Sequence, residues 1–191
     1  MRLYHVSEDP NIAIFHPRPP KNEDLDPSVG LVWAVEEESL PFLLTPRDCP
    51  RVSYRPGAKT IRQDREQYFS SSGSAFVLII EQGWLEKLQN TTLYLYEFDP
   101  ADFALQYEVA GYYAAKTAQT PIACHVITDI MGELFRRNVE VRVVDNLWEM
   151  ADRVQNSTVE WVLSRMRLAL PRKSTKVELA FTSYFGHDMI K

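Results

Sequence analysis

Two arginines in a proline-bounded loop are the residues of this sequence best suited to chemistry. They are Arg47 and Arg51, in the run PRDCPR at residues 46–51. Proline fixes its own φ angle and disfavours helical backbone in the residue before it, so the run predicts a stiff, non-helical loop. A guanidinium offers a planar set of N–H donors that matches a carboxylate or a phosphate. We therefore interpret Arg47 and Arg51 as an anion clamp.

A second set of polar side chains precedes this loop. His5 and Ser7 lie at the end of the first predicted strand. Arg18 follows in a proline-rich loop, and Trp33 lies in the second predicted strand. If the two strands are adjacent, one edge of the sheet gathers these side chains beside the arginines. Such a set suits a phosphorylated or nucleotide ligand, with arginines on phosphate, Trp33 or a tyrosine stacked on a base and His5 hydrogen-bonded to a ribose hydroxyl.

Two further groups are candidates for the same cleft. Glu108 and Tyr113, in the run YEVAGYY, offer a carboxylate and a ring, although a strand edge with a glycine bend is the alternative. Cys49 lies between the two arginines, and a working clamp would lower the pKa of its thiol and activate it as a nucleophile. Since no general base is placed near it, a buried and inert thiol is the favoured interpretation.

Each candidate also has a purely structural interpretation. Histidine in a strand is often a satisfied core or surface residue, and Trp33 in an apolar strand is more often part of the core. The arginines would then pair with acids such as Asp48 and hold loops together as a latch. The standard glycine-rich, nucleophile-elbow and zinc-protease motifs are absent, and the four histidines and two cysteines lack metal-ligand spacing, so we predict no metal site.

Composition limits the class of protein. A chain of 191 residues fits a single domain over residues 1–191. Its net charge of −5, from 21 basic and 26 acidic residues, argues against general coating of nucleic acid. The sequence has no apolar run of membrane-spanning length and no signal-peptide pattern, and with only two cysteines it predicts a cytoplasmic protein without a membrane partner. Its 12% aromatic content leaves room for a homodimer interface.

Hydrophobic patterns predict the elements that must position these residues. Apolar or alternating runs predict strands, and an apolar face repeating at three and four residues predicts the clearest helix, over 128–138. A basic stretch followed by serines predicts a mobile segment over 54–74, and 158–168 is ambiguous between strand and helix. We predict an α+β fold with a mixed, mainly antiparallel sheet. The other predicted strands are 2–6, 31–35, 75–80, 92–98, 139–144 and 177–184, and the other predicted helices are 36–44, 83–88 and 146–154.

Several of these motifs together resemble an uncharacterised family of small bacterial proteins. The motifs are LYHVS at 3–7, F-x-PR at 15–18, VWAV at 32–35 and PRDCPR at 46–51. The later runs VEVRVVDNLW at 139–148 and STVEW at 157–161 fit the same family. The resemblance covers most of the chain but implies no particular activity.

The opening strand is also distantly similar to that of the ADP-ribosyltransferase fold, including its RNA 2′-phosphotransferase branch. That fold has leucine-tyrosine-histidine and a small polar residue on its first strand, an aromatic residue on its second and a glutamate on a later one. The resemblance implies that His5 holds the nicotinamide ribose of NAD as substrate and that Trp33 stands where a tyrosine is common. It places Glu108 or Tyr113 near the third motif.

Two hypotheses about function follow. The first is a nucleotide-handling enzyme that binds NAD or a phosphorylated ribonucleotide in an arginine-lined cleft and performs glycosyl or phosphoryl transfer, with His5 and Glu108 as catalytic residues. The second is a non-catalytic module that binds a small anion or an acidic peptide through the same loop. A structural arginine latch, with the function elsewhere, is the remaining alternative.

Overall fold

Two β-sheets and four α-helices form the part of the chain that the computed structural model describes, residues 1–19, 26–108 and 110–173. The mixture of helices and mainly antiparallel strands confirms the α+β fold class. The helices are α1 (Arg62–Tyr68), α2 (Leu85–Asn90), α3 (Ile130–Arg136) and α4 (Trp148–Gln155). The strands are β1 (Leu3–Ser7), β2 (Val32–Glu36), β3 (Arg51–Arg55), β4 (Phe76–Glu81), β5 (Leu93–Phe98), β6 (Ala104–Tyr107), β7 (Tyr112–Ala115), β8 (Ala123–Ile127), β9 (Val139–Val144) and β10 (Glu160–Ser164).

The larger sheet has six strands in the order β6-β7-β2-β1-β5-β8, and the smaller has four in the order β10-β3-β4-β9. Only the β4–β9 pair of these sheets is parallel. The β1–β2 pairing is short, because it joins Leu3 to Glu36 and Tyr4 to Val35 and then ends. From His5 onwards, β1 pairs only with β5. The sheet therefore opens between β1 and β2 at the point where His5 and Trp33 lie.

The main core lies between the two sheets. It combines Tyr4 and Val35 from the larger sheet with Leu78 and Ile80 from the smaller one. Every residue of β4 is buried, as its continuous apolar sequence predicted. Helices α1 and α4 cover the outer face of the smaller sheet. The outer face of the larger sheet is covered by Phe15, which packs against Tyr96 and Phe98.

The segment before β2 is fastened across the larger sheet by backbone hydrogen bonds. Phe15 pairs with Gln119 through both its N–H and its carbonyl, at 2.8 and 2.9 Å. Arg18 pairs with Leu31 in the same way, at 3.1 and 2.9 Å. Segments rich in proline cannot form a helix, so these two isolated bridges fix the path of the chain. They hold Arg18 beside the start of β2.

The structure corrects two predictions of secondary structure. The segment 54–74 was predicted to be mobile, but it contains the end of β3 and the helix α1. A hydrogen bond joins these two elements, because the buried hydroxyl of Tyr54 on β3 donates to the carbonyl of Tyr68 at the end of α1, at 2.8 Å. The ambiguous segment 158–168 contains strand β10 followed by a short 3₁₀ turn. Segment 36–44, predicted as a short helix, contains a 3₁₀ helix over Glu37–Phe42. The predicted strand at 177–184 lies outside the described residues.

Candidate functional site

His5 lies at the opening between β1 and β2. Its Nδ1 lies 2.8 Å from the carbonyl oxygen of Trp33. A carbonyl only accepts hydrogen bonds, so Nδ1 must carry the proton of this contact. In the neutral ring Nε2 then has a free lone pair, and it has no hydrogen-bond partner among the described residues. His5 therefore offers one hydrogen-bond acceptor to a ligand.

The surroundings of His5 favour its neutral form. Burial lowers its pKa from the ordinary value of 6.5, and the positive charges of Arg18 and Arg47 lower it further, while the hydrogen bond to the Trp33 carbonyl acts in the opposite direction. A lowered pKa means that the unfolded chain takes up the proton first as the pH falls. The stability due to neutral His5 is thus complete above its ordinary pKa and declines as the pH falls below it.

Arg18 and Arg47 both lie near this ring, close enough for their charges to affect its pKa. Both side chains are exposed, and neither makes a hydrogen bond or an ion pair with the described residues. Their backbones are nevertheless held in place. Arg18 is fixed by its bridge to Leu31, and the N–H of Arg47 donates to Glu8 Oε1 at 2.5 Å. Two guanidiniums that have no counter-ion among the described residues therefore lie near His5, whose neutral form is favoured.

The loop between the arginines has the predicted non-helical backbone. The N–H of Cys49 donates to the carbonyl of Pro46 at 3.1 Å and closes a turn. Asp48 has a φ of 65°, the left-handed conformation that the third position of a type II turn requires. Its carboxylate lies 3.5 Å from the Arg165 guanidinium, after β10. The turn points Arg47 outwards and sends the next residues into β3.

Arg51 does not join the exposed pair. It is only 7% exposed, its Nε donates to the carbonyl of Phe42 at 2.8 Å, and its Nη1 donates to the carbonyl of Cys49 at 3.0 Å. Burial lowers its pKa, and the neighbouring Tyr112 opposes this effect. The expected two-arginine clamp is therefore divided, with Arg47 at the surface and Arg51 holding the 3₁₀ helix against the start of β3.

Trp33 lies on the other face of the larger sheet from His5. Alternate residues of a strand share a face, so Trp33 shares one with Val35 in the main core, whereas His5 shares one with Leu3 in the outer cluster. On that outer face the His5 ring packs against the Phe15 ring, with 4.8 Å between the ring centroids. The indole of Trp33 stacks on the ring of Tyr107, with 6.3 Å between the ring centroids. The structure thus does not place the side chains of His5 and Trp33 on the same face of the larger sheet.

Two of the remaining candidates, Tyr113 and Ser7, lie on the same face of the larger sheet as His5. Tyr113 pairs with Ala34 and shares the outer face with His5. Ser7 is on that face too, but its hydroxyl accepts the N–H of Asp9 at 3.1 Å in a local turn. Both residues lie on the side where Phe15 covers the sheet.

Glu108 lies away from His5. It is exposed in the turn before Gly111, whose carbonyl accepts the N–H of Glu36 at 3.1 Å. Glu36 ends β2, whereas the His5 ring contacts Trp33, three residues earlier. Three residues of strand span about 10 Å, so the turn lies towards the opposite end of β2. The structure does not bring the two predicted catalytic residues together.

Sequence reasoning missed Glu8, Phe15 and Arg165 as neighbours of the site. Glu8 directly follows Ser7 and fixes the Arg47 backbone, and Phe15 packs on His5. Only the position of Glu8 beside the histidine motif is a sequence signal for such a role. The contact of Arg165 with Asp48 joins residues more than a hundred positions apart and has no local signal.

Cys49 is fully buried, and burial raises the pKa of its thiol to about 11. We expect it to be unreactive in the folded protein, whereas Cys124 is exposed. Titration with a chromogenic disulfide reagent is then expected to modify Cys124 alone in native protein and both thiols after denaturation. Rapid native modification of Cys49 in a Cys124→Ser variant would contradict the assignment.

Within residues 1–19, 26–108 and 110–173, no group of three or more histidine, cysteine, aspartate or glutamate side chains is arranged to hold a metal ion. No helix in the same ranges has the length and apolar composition needed to cross a membrane.

The chain folds as an α+β protein, and His5, Arg18 and Arg47 lie near one another where β1 and β2 separate. The chain belongs to a family described as "Family of unknown function (DUF6886)", whose sequence model matches residues 4–169. Comparisons with curated proteins and with solved structures gave no significant match.

Proposed function

We propose that this protein binds a phosphorylated ribonucleotide at His5, Arg18 and Arg47. The observation that carries the proposal is the pair of exposed guanidiniums, without counter-ions among the described residues, near a histidine whose lowered pKa favours its neutral form. Guanidiniums bind phosphate through charge-assisted, often bidentate hydrogen bonds. The free Nε2 of His5 accepts a hydrogen bond, so it suits a sugar hydroxyl rather than a second phosphate oxygen. Together these groups suit a phosphate and a ribose in one ligand.

The reaction we propose is glycosyl or phosphoryl transfer of the ADP-ribosyltransferase type. NAD and RNA with a 2′-phosphate both present a ribose hydroxyl close to a phosphate, which matches the arginine donors and the His5 acceptor. Such reactions proceed largely through positioning and stabilisation of charge. The similarity of the opening LYHVS strand to that fold supports this choice, as does the position of His5 at the split between β1 and β2.

Binding measurements test the ligand class. NAD, ADP-ribose and an oligoribonucleotide with a 2′-phosphate are titrated by calorimetry against the wild type and against Arg18→Ala and Arg47→Ala. We expect each substitution to weaken binding about 10- to 100-fold, because a charge-assisted hydrogen bond contributes roughly 1.5–3 kcal/mol.

Arg62→Ala is the matched control for these variants. It removes the same charge from a side chain that is 90% exposed on α1 and paired with Glu66, so it should leave binding unchanged. Failure of all three ligands to bind the wild type below about 1 mM would remove the proposal. Equal weakening by all three substitutions would show only a general effect of net charge.

The separation of Glu108 from His5 favours a second candidate, a non-catalytic module that binds a small anion or an acidic peptide. The two candidates differ in the effect of His5→Ala. An enzyme would lose release of nicotinamide from NAD, or loss of phosphate from 2′-phosphorylated RNA, with Arg47 intact. A module would show neither reaction in the wild type and would keep its anion affinity in the His5→Ala variant.

A further inference from the structure

Strand β8 forms one edge of the larger sheet. Its inner side pairs with β5 along the whole strand, from Ala123 to Ile127. Its outer side pairs with no strand in the described part of the chain. An unpaired edge presents a row of backbone N–H and carbonyl groups to any strand that approaches. Proteins usually protect such edges with charged side chains or with bulges.

This edge has little of that protection, because the one ion pair on β8 among the described residues is that of His125 with Glu97. Between residues 121 and 127 the sequence PIACHVI contains no lysine, arginine, aspartate or glutamate. Ile122 is 65% exposed, Val126 is 59% exposed, and Cys124 between them is exposed as well. Alternate residues of an extended chain share a face, so these three side chains form one apolar stripe. We call Ile122, Cys124 and Val126 the edge stripe.

A shallow groove of about 410 Å³ opens beside the edge stripe. Cys124 pairs with Tyr96, which also lines the groove, so groove and stripe are on the same face of the sheet. The other lining residues are mostly apolar or small, and they are Pro10, Asn11, Ile12, Ala13, Pro121, Ile122 and Ala123. The groove thus accepts an aliphatic side chain from a strand added to β8.

We propose that the strand added to β8 is β8 of a second copy of this chain. An isologous dimer needs a patch that complements itself about a two-fold axis. The edge stripe complements itself when two copies of β8 pair in antiparallel orientation. With the axis at Cys124, Ile122 faces Val126 of the second copy, and Cys124 faces Cys124. His125 then faces Ala123 rather than another histidine, so no like charges meet in the strand pair. The result is a continuous twelve-stranded sheet.

The size of this contact predicts a weak dimer. Stable specific interfaces bury about 800 Å² on each partner, which is more than the pairing of two five-residue strands provides. The aliphatic side chains that enter the two symmetry-related grooves supply the remaining contact. We therefore expect association that depends on concentration, with half-dissociation in the micromolar range of about 1–100 µM.

Sedimentation velocity across this range of concentration tests the dimer. We expect the wild type to pass from monomer to dimer and Val126→Lys to remain monomeric, because the new charge would face an apolar residue across the axis. The matched control is Val143→Lys, at an exposed valine on β9, which is an edge of the other sheet. A monomeric wild type throughout would overturn the proposal and leave this edge to a different partner, and a dimer that survives Val126→Lys would overturn it too.

The position of the axis has its own test. Facing residues of an antiparallel pair have Cα atoms about 4.5–5.5 Å apart, within the range of about 4.4–6.8 Å that a disulfide spans. Copper–phenanthroline removes two electrons and two protons from a pair of thiols, and we expect it to cross-link the wild type through Cys124 without additional chain movement. Cys124→Ser should abolish the cross-link, since Cys49 is buried. Absence of a cross-link in a sedimenting dimer would contradict this register.

Discussion

Replacing Arg51 with alanine is expected to lower the free energy of unfolding by about 3 kcal/mol. The buried guanidinium is the donor to the carbonyls of Phe42 and Cys49, and hydrogen bonds from a charged group contribute roughly 1.5–3 kcal/mol. Removing it leaves both carbonyls without this donor in a buried place and creates a cavity. For a chain of this size, such a loss lowers the melting temperature by about 6–12 °C. Differential scanning calorimetry measures both quantities.

Arg47→Ala is the matched control, because the two arginines are four positions apart in one loop. The Arg47 side chain is exposed and has no partner among the described residues, so its loss should change the melting temperature by less than about 2 °C. Nucleotide binding should respond in the opposite order, weakened by Arg47→Ala and retained by folded Arg51→Ala. A melting temperature unaffected by Arg51→Ala would exclude the latch that the geometry indicates.

Replacing Glu81 with alanine is expected to be similarly destabilising, by about 3 kcal/mol. Its carboxylate is 3% exposed and accepts the N–H of Leu147, at 3.3 Å, and that of Leu170, at 3.1 Å. These bonds join the end of β4 to the residue before α4 and to the segment after β10. Alanine would leave both N–H groups without the acceptor that the carboxylate provides. Urea denaturation followed by tryptophan fluorescence measures the loss.

Glu81→Gln separates the hydrogen bonds from packing. Glutamine has nearly the same volume and keeps one oxygen acceptor, so the loss should be about half that of alanine. Equal losses in the two variants would mean that the negative charge, rather than acceptance of hydrogen bonds, stabilises this junction. Nucleotide binding by both folded variants should match that of the wild type, because Glu81 lies outside the proposed site.

Elements with a strong local pattern were predictable from the sequence. The apolar run of β4, the alternation of β9 and the amphipathic helix α3 all occur near their predicted positions. Strand β3 and helix α1 were missed, because their local composition is basic and polar. They are ordered by contacts from elsewhere, including that of Arg142 Nη1 with the Tyr54 hydroxyl at 3.0 Å. Arg142 is 88 positions from Tyr54, so the sequence around β3 and α1 does not contain this partner.

The sequence by itself determined the chemistry available to the site, while the tertiary structure decided which groups meet. Residue types and proline positions were enough to make His5, Arg18, Arg47 and Arg51 candidates and to predict a stiff loop, because donor geometry and the φ angle of proline are local properties. Strand pairing decided that Trp33 lies on the opposite face from His5 and that Arg51 is buried. Side chains alternate between faces, so the register of each strand sets where its residues point, and register arises only when distant strands pair.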